Sequence, residues 1–313
     1  MKWQPPPPNV QYALGIIIAL LVIATIIVFV LRKLHPDRNY QELDSRIWTW
    51  WLITAMFAGV LLLSKGMALA FFAFISYLAL KEYLSLIPTR RADRRILFWA
   101  YLTIPVQYWW VYTEWYGMFI IFIPVYMFLY LPMRMVLKGE TEGFLRAAGT
   151  LHWGIMTTVF SLSHASFLLV LPEKGNPAAG GAGLILYLVC LTELNDVSQY
   201  IWGKSFGHHK VVPVVSPNKT WEGLLGGVAT TTLLAFLTAP YLTPLNHNHA
   251  VMAGIIIGLG GFMGDITVSA LKRDLKIKDS SSILPGHGGI LDRVDSLTCT
   301  APLFLHFVRY LYF

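Results

Sequence analysis

The chain has 313 residues, of which 56% are hydrophobic and only 13% charged. A soluble domain covers its surface with about 25% charged residues, so the composition excludes a soluble globular protein and indicates a polytopic membrane protein. The formal net charge of +7 comes from bases in short loops between apolar spans, which membrane topology explains without a nucleic-acid partner.

In chain order, residues 1–9 form a short head with four consecutive prolines. An apolar span over 12–31 follows, long enough to cross ~30 Å of hydrocarbon. It has no basic leader and no small-residue cleavage pattern, so it reads as an anchor. Further spans are predicted near 47–63, 67–85, 96–112, 117–133, 151–171, 182–201, 224–242, 250–271 and 297–313. The predicted fold is an all-α polytopic integral membrane protein of about nine to ten transmembrane helices. The loops at 32–46, 86–95, 134–150, 202–223 and 272–296 hold nearly all the Lys and Arg, which predicts that they are cytoplasmic and the N-terminus external. Trp48, Trp50, Trp51, Trp109, Trp110 and Trp115 cluster near span ends, as interfacial belts do. Cys190 and Cys299 lie in apolar stretches and read as small core residues.

Character changes near Gly180. Before it the spans are apolar and the loops generic, and Glu82 reads as a paired structural residue beside Lys81. After it, acids stand within or at the ends of spans: Glu193, Asp196 and Asp265. A charge at mid-membrane costs about 2.5–3.5 kcal/mol on insertion scales, so such residues normally face a polar cavity. Residues 1–180 are therefore predicted to be scaffold. Residues 181–313 are predicted to carry the chemistry, at the cytoplasmic ends of the C-terminal helices.

Two stretches concentrate that chemistry. The first is 269–295, S-A-L-K-R-D-L-K-I-K-D-S-S-S-I-L-P-G-H-G-G-I-L-D-R-V-D. Read as a helix continuing from 251–263, it places Asp265, Ser269, Lys272, Arg273 and Lys276 within roughly 100° of arc, with Asp274 opposite. A carboxylate beside a row of bases suits a metal–phosphate site. Pro285-Gly286-His287-Gly288-Gly289 cannot be helix interior, and its glycines would let backbone N–H groups approach an anion. In the second stretch, Glu193, Asp196, Tyr200 and Lys204 share one helical face. It continues through Gly207-His208-His209-Lys210 to Ser216-Pro217-Asn218-Lys219-Thr220-Trp221-Glu222-Gly223, where a capped helix start and Lys219 could meet an anion. His208 and His209 lack partners at zinc-ligand spacing.

The first stretch resembles the signature of the CDP-diacylglycerol synthase (phosphatidate cytidylyltransferase) family. Ser269, Lys272, Arg273, Lys278, Asp279, His287, Gly288, Gly289, Asp292, Arg293 and Asp295 fill its fixed positions. The second resembles the same family through Asp196, Tyr200, Gly203, Phe206, Gly207, Lys210 and the S-P-x-K-T-W-E-G run. It departs in reading Asp196-Val197-Ser198-Gln199-Tyr200 where many bacterial members have D-T-G-A-Y.

The resemblance implies cytidylyl transfer from CTP to phosphatidate in a bilayer, yielding CDP-diacylglycerol and pyrophosphate for phospholipid synthesis. It implies a bacterial cytoplasmic (inner) membrane with the site facing the cytoplasm. Mg²⁺ is expected, with room for a second, monovalent or divalent, cation. Asp265 and Asp292, then Asp196, are the expected metal ligands. Lys219, Lys272, Arg273 and Arg293 are expected to clamp phosphates, with His287 positioning. Ser216, Thr220, Lys210, Lys278, Gly288 and Gly289 would complete the nucleotide site, and a homodimer is left open. The competing readings are a CTP-dependent lipid-alcohol kinase of polyisoprenol type and, further off, a membrane transporter.

Overall fold

A computed structural model of the chain describes residues 6–36, 40–62, 64–88, 94–281 and 288–313. Among these residues the protein is all-α, with one isolated antiparallel bridge between Lys210 and Thr220 and no strand. The helices are α1 (Pro8–Leu34), α2 (Gln41–Leu62), α3 (Lys65–Leu86) and α4 (Arg94–Tyr112). Next come α5 (Tyr116–Val136), α6 (Phe144–Val170), α7 (Gly180–Phe206), α8 (Trp221–Leu242) and α9 (His247–Asp274). A short α10 (Leu291–Val294) leads into α11 (Leu297–Tyr312).

Among the described residues seven helices, α1, α3 and α5 to α9, are long and apolar enough to cross a membrane. That is fewer than the nine to ten the sequence predicts. The difference lies in α2, α4 and α11. α2 and α4 open on charged turns, and the 16 residues of α11 extend about 24 Å at 1.5 Å per residue, short of a ~30 Å hydrocarbon core.

Local chemistry explains the helix ends and breaks. In α5, Pro124 removes a donor, and the helix absorbs the defect as a π-turn over Phe122–Met127. α8 is capped by Thr220, whose Oγ1 accepts the Gly223 N–H at 3.1 Å, and α9 by Asn246, whose Oδ1 accepts from His249 at 2.8 Å.

The core is centred on α7. Leu184, Ile185, Leu186, Tyr187 and Leu188 are all buried, so this stretch of the helix is enclosed on every side rather than striped. It packs against α8, α9 and α11, and α8 against α9. Small residues permit that closeness: a Cβ on Gly254 of α9 would lie 2.5 Å from Thr232 Cα of α8. By contrast α1 buries only Val10, Leu14 and Val28, and its exposed apolar surface suits lipid. The arrangement brings the ends of α7 and α9, the 207–220 loop and the α10–α11 turn to one end of the bundle.

Candidate active site

Three groups of polar side chains meet there. The first lies in the seam between α7, α9 and the start of α11. Ser296 donates from Oγ to Asp196 Oδ2 at 2.8 Å and lies 3.3 Å from the Gly261 carbonyl. Asn195 donates to the Gly258 carbonyl at 3.3 Å and accepts from Thr231 at 3.1 Å. Gly264 is needed because its Cβ would fall 2.3 Å from the Asp295 carbonyl oxygen. Into this seam the loop before α8 sends Lys219, whose Nζ lies 2.5 Å from Asp265 Oδ2 and 3.3 Å from Gln199 Oε1.

The electrostatics of that seam follow from its charge count. Burial alone would lower the Lys219 pKa, but the carboxylates of Asp265 and Asp196 outweigh it and hold the ammonium above its ordinary value. Asp295 is pushed well above the usual carboxylate range by burial, then by repulsion from Asp265 and Asp196. Asp196 Oδ1 is buried without a hydrogen-bond partner. Arg293 interacts electrostatically with Glu193 and Asp196, and its Nε too is buried and unpartnered.

The second group is built around Asp292. Its Oδ1 accepts from Lys272 Nζ at 2.7 Å. Its Oδ2 accepts from the Ser280 N–H at 2.8 Å, Ser280 Oγ at 2.7 Å and the Gly289 N–H at 2.9 Å. Burial would raise the Asp292 pKa, yet Lys272 and the Gly289 and Ser280 N–H donors hold it below the ordinary carboxylate range. Gly288 takes φ +77°, and a Cβ there would lie 2.6 Å from Asp292 Oδ2, so glycine is required twice over.

The third group is the 207–220 loop, folded into a cradle. Val211 N–H reaches the Lys219 carbonyl at 3.1 Å and Trp221 N–H the His209 carbonyl at 2.9 Å. Glu222 accepts the His208 and His209 N–H groups at 3.1 and 3.2 Å. A cavity of about 390 Å³ opens beside this loop, lined by Tyr200, Lys204, Lys210, Ser216, Asn218 and Lys219, among others. Arg273 ties the cradle to α9, with Nε 3.1 Å from the Val215 carbonyl.

The sequence-predicted residues thus divide. Lys219, Asp265 and Asp196 are brought together. Lys272 and Asp292 form a second, separate pair, with Gly288 and Gly289 packed on it. Thr220 serves as the α8 cap, Lys210 and Ser216 line the cavity, and Lys278 is exposed. His287, with Pro285 and Gly286, lies outside the described residues. Lys276 leaves the predicted face: α9 ends at Asp274 and Lys276 takes φ +56°. The Ile277 N–H bonds the Lys272 carbonyl at 2.9 Å and the Lys276 N–H that of Arg273 at 3.0 Å, which closes a Schellman turn.

The residue that sequence reasoning missed is Glu82. It is 5% exposed, and its partners are Ser280, Ser281, Ile290 and Leu291 rather than Lys81. It accepts hydrogen bonds from Ser281 Oγ at 3.0 Å and from the Ile290 and Leu291 N–H groups at 3.0 and 3.1 Å, and it shares the single proton of the Ser280 hydroxyl with Asp292. The available signal was an acid within an apolar helix; the adjacent Lys81 masked it.

The donor set of the α7–α9 seam fits a hard divalent cation, since Asp196 and Asp265 offer carboxylate oxygens and one of them, Asp196 Oδ1, has no donor facing it. Among the described residues no group of three or more His, Cys, Asp or Glu is gathered so as to hold a metal by itself. A cation here would therefore draw further ligands from substrate oxygens or water, as Mg²⁺ commonly does. Asp292 fits less well, because Lys272, the Ser280 and Gly289 N–H groups and the Ser280 hydroxyl shared with Glu82 already face its oxygens.

Comparison with known proteins places the chain in a family. Residues 44–311 match the cytidylyltransferase family. The uncharacterized protein YnbB of Escherichia coli (strain K12) is 47% identical over 300 residues, covering 96% of this chain and 98% of that one. A phosphatidate cytidylyltransferase of Haemophilus influenzae is 40% identical over 132 residues, 41% of this chain and 46% of its own length. A phosphatidate cytidylyltransferase of Staphylococcus aureus (strain COL) is 44% identical over 125 residues, 39% of this chain and 48% of its own. The matches to these two enzymes span about half of their length.

Proposed function

The chain belongs to the cytidylyltransferase family and is a nucleotidyltransferase, and we propose that it transfers the cytidylyl group of CTP to phosphatidate within the bilayer. The observation that carries this reading is the meeting of Lys219 with Asp265. Lys219 belongs to the loop cavity, and Asp265 to the acid seam at the end of the apolar bundle. A water-soluble polyanion and a lipid phosphate need such a junction in order to react.

In this reading the lipid phosphate oxygen attacks the α-phosphorus of CTP. A new P–O bond forms as the bond from the α-phosphorus to the bridging oxygen breaks, and pyrophosphate leaves. The phosphate nucleophile is already ionised at neutral pH, so the protein has to neutralise and align charge rather than remove a proton. Lys204, Lys210 and Lys219 surround the cavity and would hold the triphosphate oxygens. Arg293, between Asp292 and the seam, has an unused Nε for a phosphate. Asp196 and Asp265 would hold Mg²⁺, which when bound supplies charge neutralisation for the in-line displacement.

Purified protein given CTP, Mg²⁺ and either phosphatidate or a lipid alcohol tests the acceptor. Phosphatidate alone should yield CDP-lipid, with dCTP but not ATP competing. Phosphorylation of the alcohol with release of CDP would instead favour the kinase reading. Placement in a bacterial cytoplasmic membrane, with the site on the cytoplasmic face, belongs to the same proposal. It is supported by the basic loops and by the cytosolic location of CTP.

A further inference from the structure

Glu82 has no part in the reaction as outlined, yet it is a buried carboxylate with its own set of hydrogen-bond donors. It lies at the end of α3, about 200 residues in sequence from its partners. Its Oε1 takes the Leu291 N–H and lies against Ser280 Oγ, and its Oε2 takes the Ile290 N–H and Ser281 Oγ. Ser280 Oγ also lies 2.7 Å from Asp292 Oδ2. One hydroxyl thus stands between two carboxylates, and the second of them holds Lys272.

An independent feature of the sequence reports the same contact. A Cβ on Gly289 would stand 2.0 Å from Glu82 Oε1 and 2.3 Å from Ser280 Oγ. Glycine at 289 thus leaves room for the chain's own anion. Its N–H, and the two that follow, are committed to Asp292 and Glu82.

We propose that Glu82 is a positioning residue, which anchors Ser280, Ser281, Ile290 and Leu291 to α3 and thereby sets the Lys272–Asp292 pair for nucleotidyl transfer. The role in catalysis rests on the function proposed above; the anchoring itself does not. A carboxylate is suited to this because it is acceptor-only and meets three donors of its own, from Ser281, Ile290 and Leu291, with the single Ser280 hydroxyl proton shared with Asp292. Gln in its place would turn an N–H₂ group towards N–H donors, leaving buried groups unsatisfied.

The test is hydrogen–deuterium exchange on the full-length protein in detergent, read on the peptide carrying Gly289, Ile290 and Leu291, beside steady-state kinetics. In Glu82→Gln these amides should exchange at least about ten-fold faster while those of α7 keep their protection. kcat should fall by about 10²-fold, as when a base that aligns a reacting phosphate, here Lys272, is displaced, with the KM for CTP within about two-fold because the cavity loop is untouched. Gly289→Ala approaches the same contact from its other side and should give the same local exchange, which covers the case of a Glu82 variant that does not fold. Unchanged exchange at 289–291 in a folded variant overturns the anchor. So does acceleration spread evenly into α7, which would mark general destabilisation. If the parent protein transfers no cytidylyl group but the local exchange effect is present, the proposed function fails and the anchor stands.

Discussion

At the scale of single residues, Asp265 and Asp292 divide what the sequence had joined. Asp265 faces Lys219 and, through Asp196, a carboxylate oxygen without a donor. Asp265→Asn keeps the shape but removes a charge that a hard cation or Lys219 requires, so activity should fall by at least about 10²-fold. Asp274, exposed on the opposite face of α9, provides the control, and Asp274→Asn should stay near parental activity in the same assay. The reverse ranking would show that the wrong face of α9 has been assigned.

Asp292 makes a different demand, on stability against pH. Its folded pKa lies below the unfolded value, because the Lys272 and N–H donors outweigh burial. The stabilisation is therefore complete above the ordinary carboxylate range and lost as pH falls through the folded value. Thermal melts should show Asp292→Asn to be less stable than the parent at neutral pH and less sensitive to acid. Parallel acid slopes for the two proteins would argue against the pairing.

At the scale of elements, the helices were legible because their chemistry is local. Apolar runs predicted the spans, and Ser216-to-Gly223 predicted the start of α8. The cap itself is Thr220, two-thirds of the way along that run, and Thr220→Ala should cost about 1 kcal/mol, seen as a lowered melting midpoint. An unchanged midpoint would mean that the cavity loop, not the cap, holds α8 in place. What could not be read is the partnership of Glu82 with Ser280 and Leu291, since nothing within a turn of Glu82 indicates a contact so remote in sequence. The end of the α9 face was missed for a related reason. Lys276 has ordinary helix propensity, and only its bonding in the Schellman turn takes it out of register.

At the scale of the molecule, the two chemistry-bearing loops share one end of the bundle, as the Arg273–Val215 contact requires. Their bases predict that this end is cytoplasmic. Single cysteines at Ser205 and Asp279, both exposed, should resist a membrane-impermeant thiol reagent in intact cells and react once the membrane is opened. Labelling of either in intact cells would invert the topology.

The central claim is that the α-phosphorus of CTP, rather than the γ-phosphorus, is transferred to a lipid phosphate. Purified protein supplied with phosphatidate, Mg²⁺ and CTP labelled at either the α or the γ phosphate tests this most directly. The α label should enter the lipid fraction and the γ label leave as pyrophosphate, and both transfers should be lost in Asp265→Asn. Appearance of γ label in the lipid, with α label remaining in soluble CDP, would contradict it.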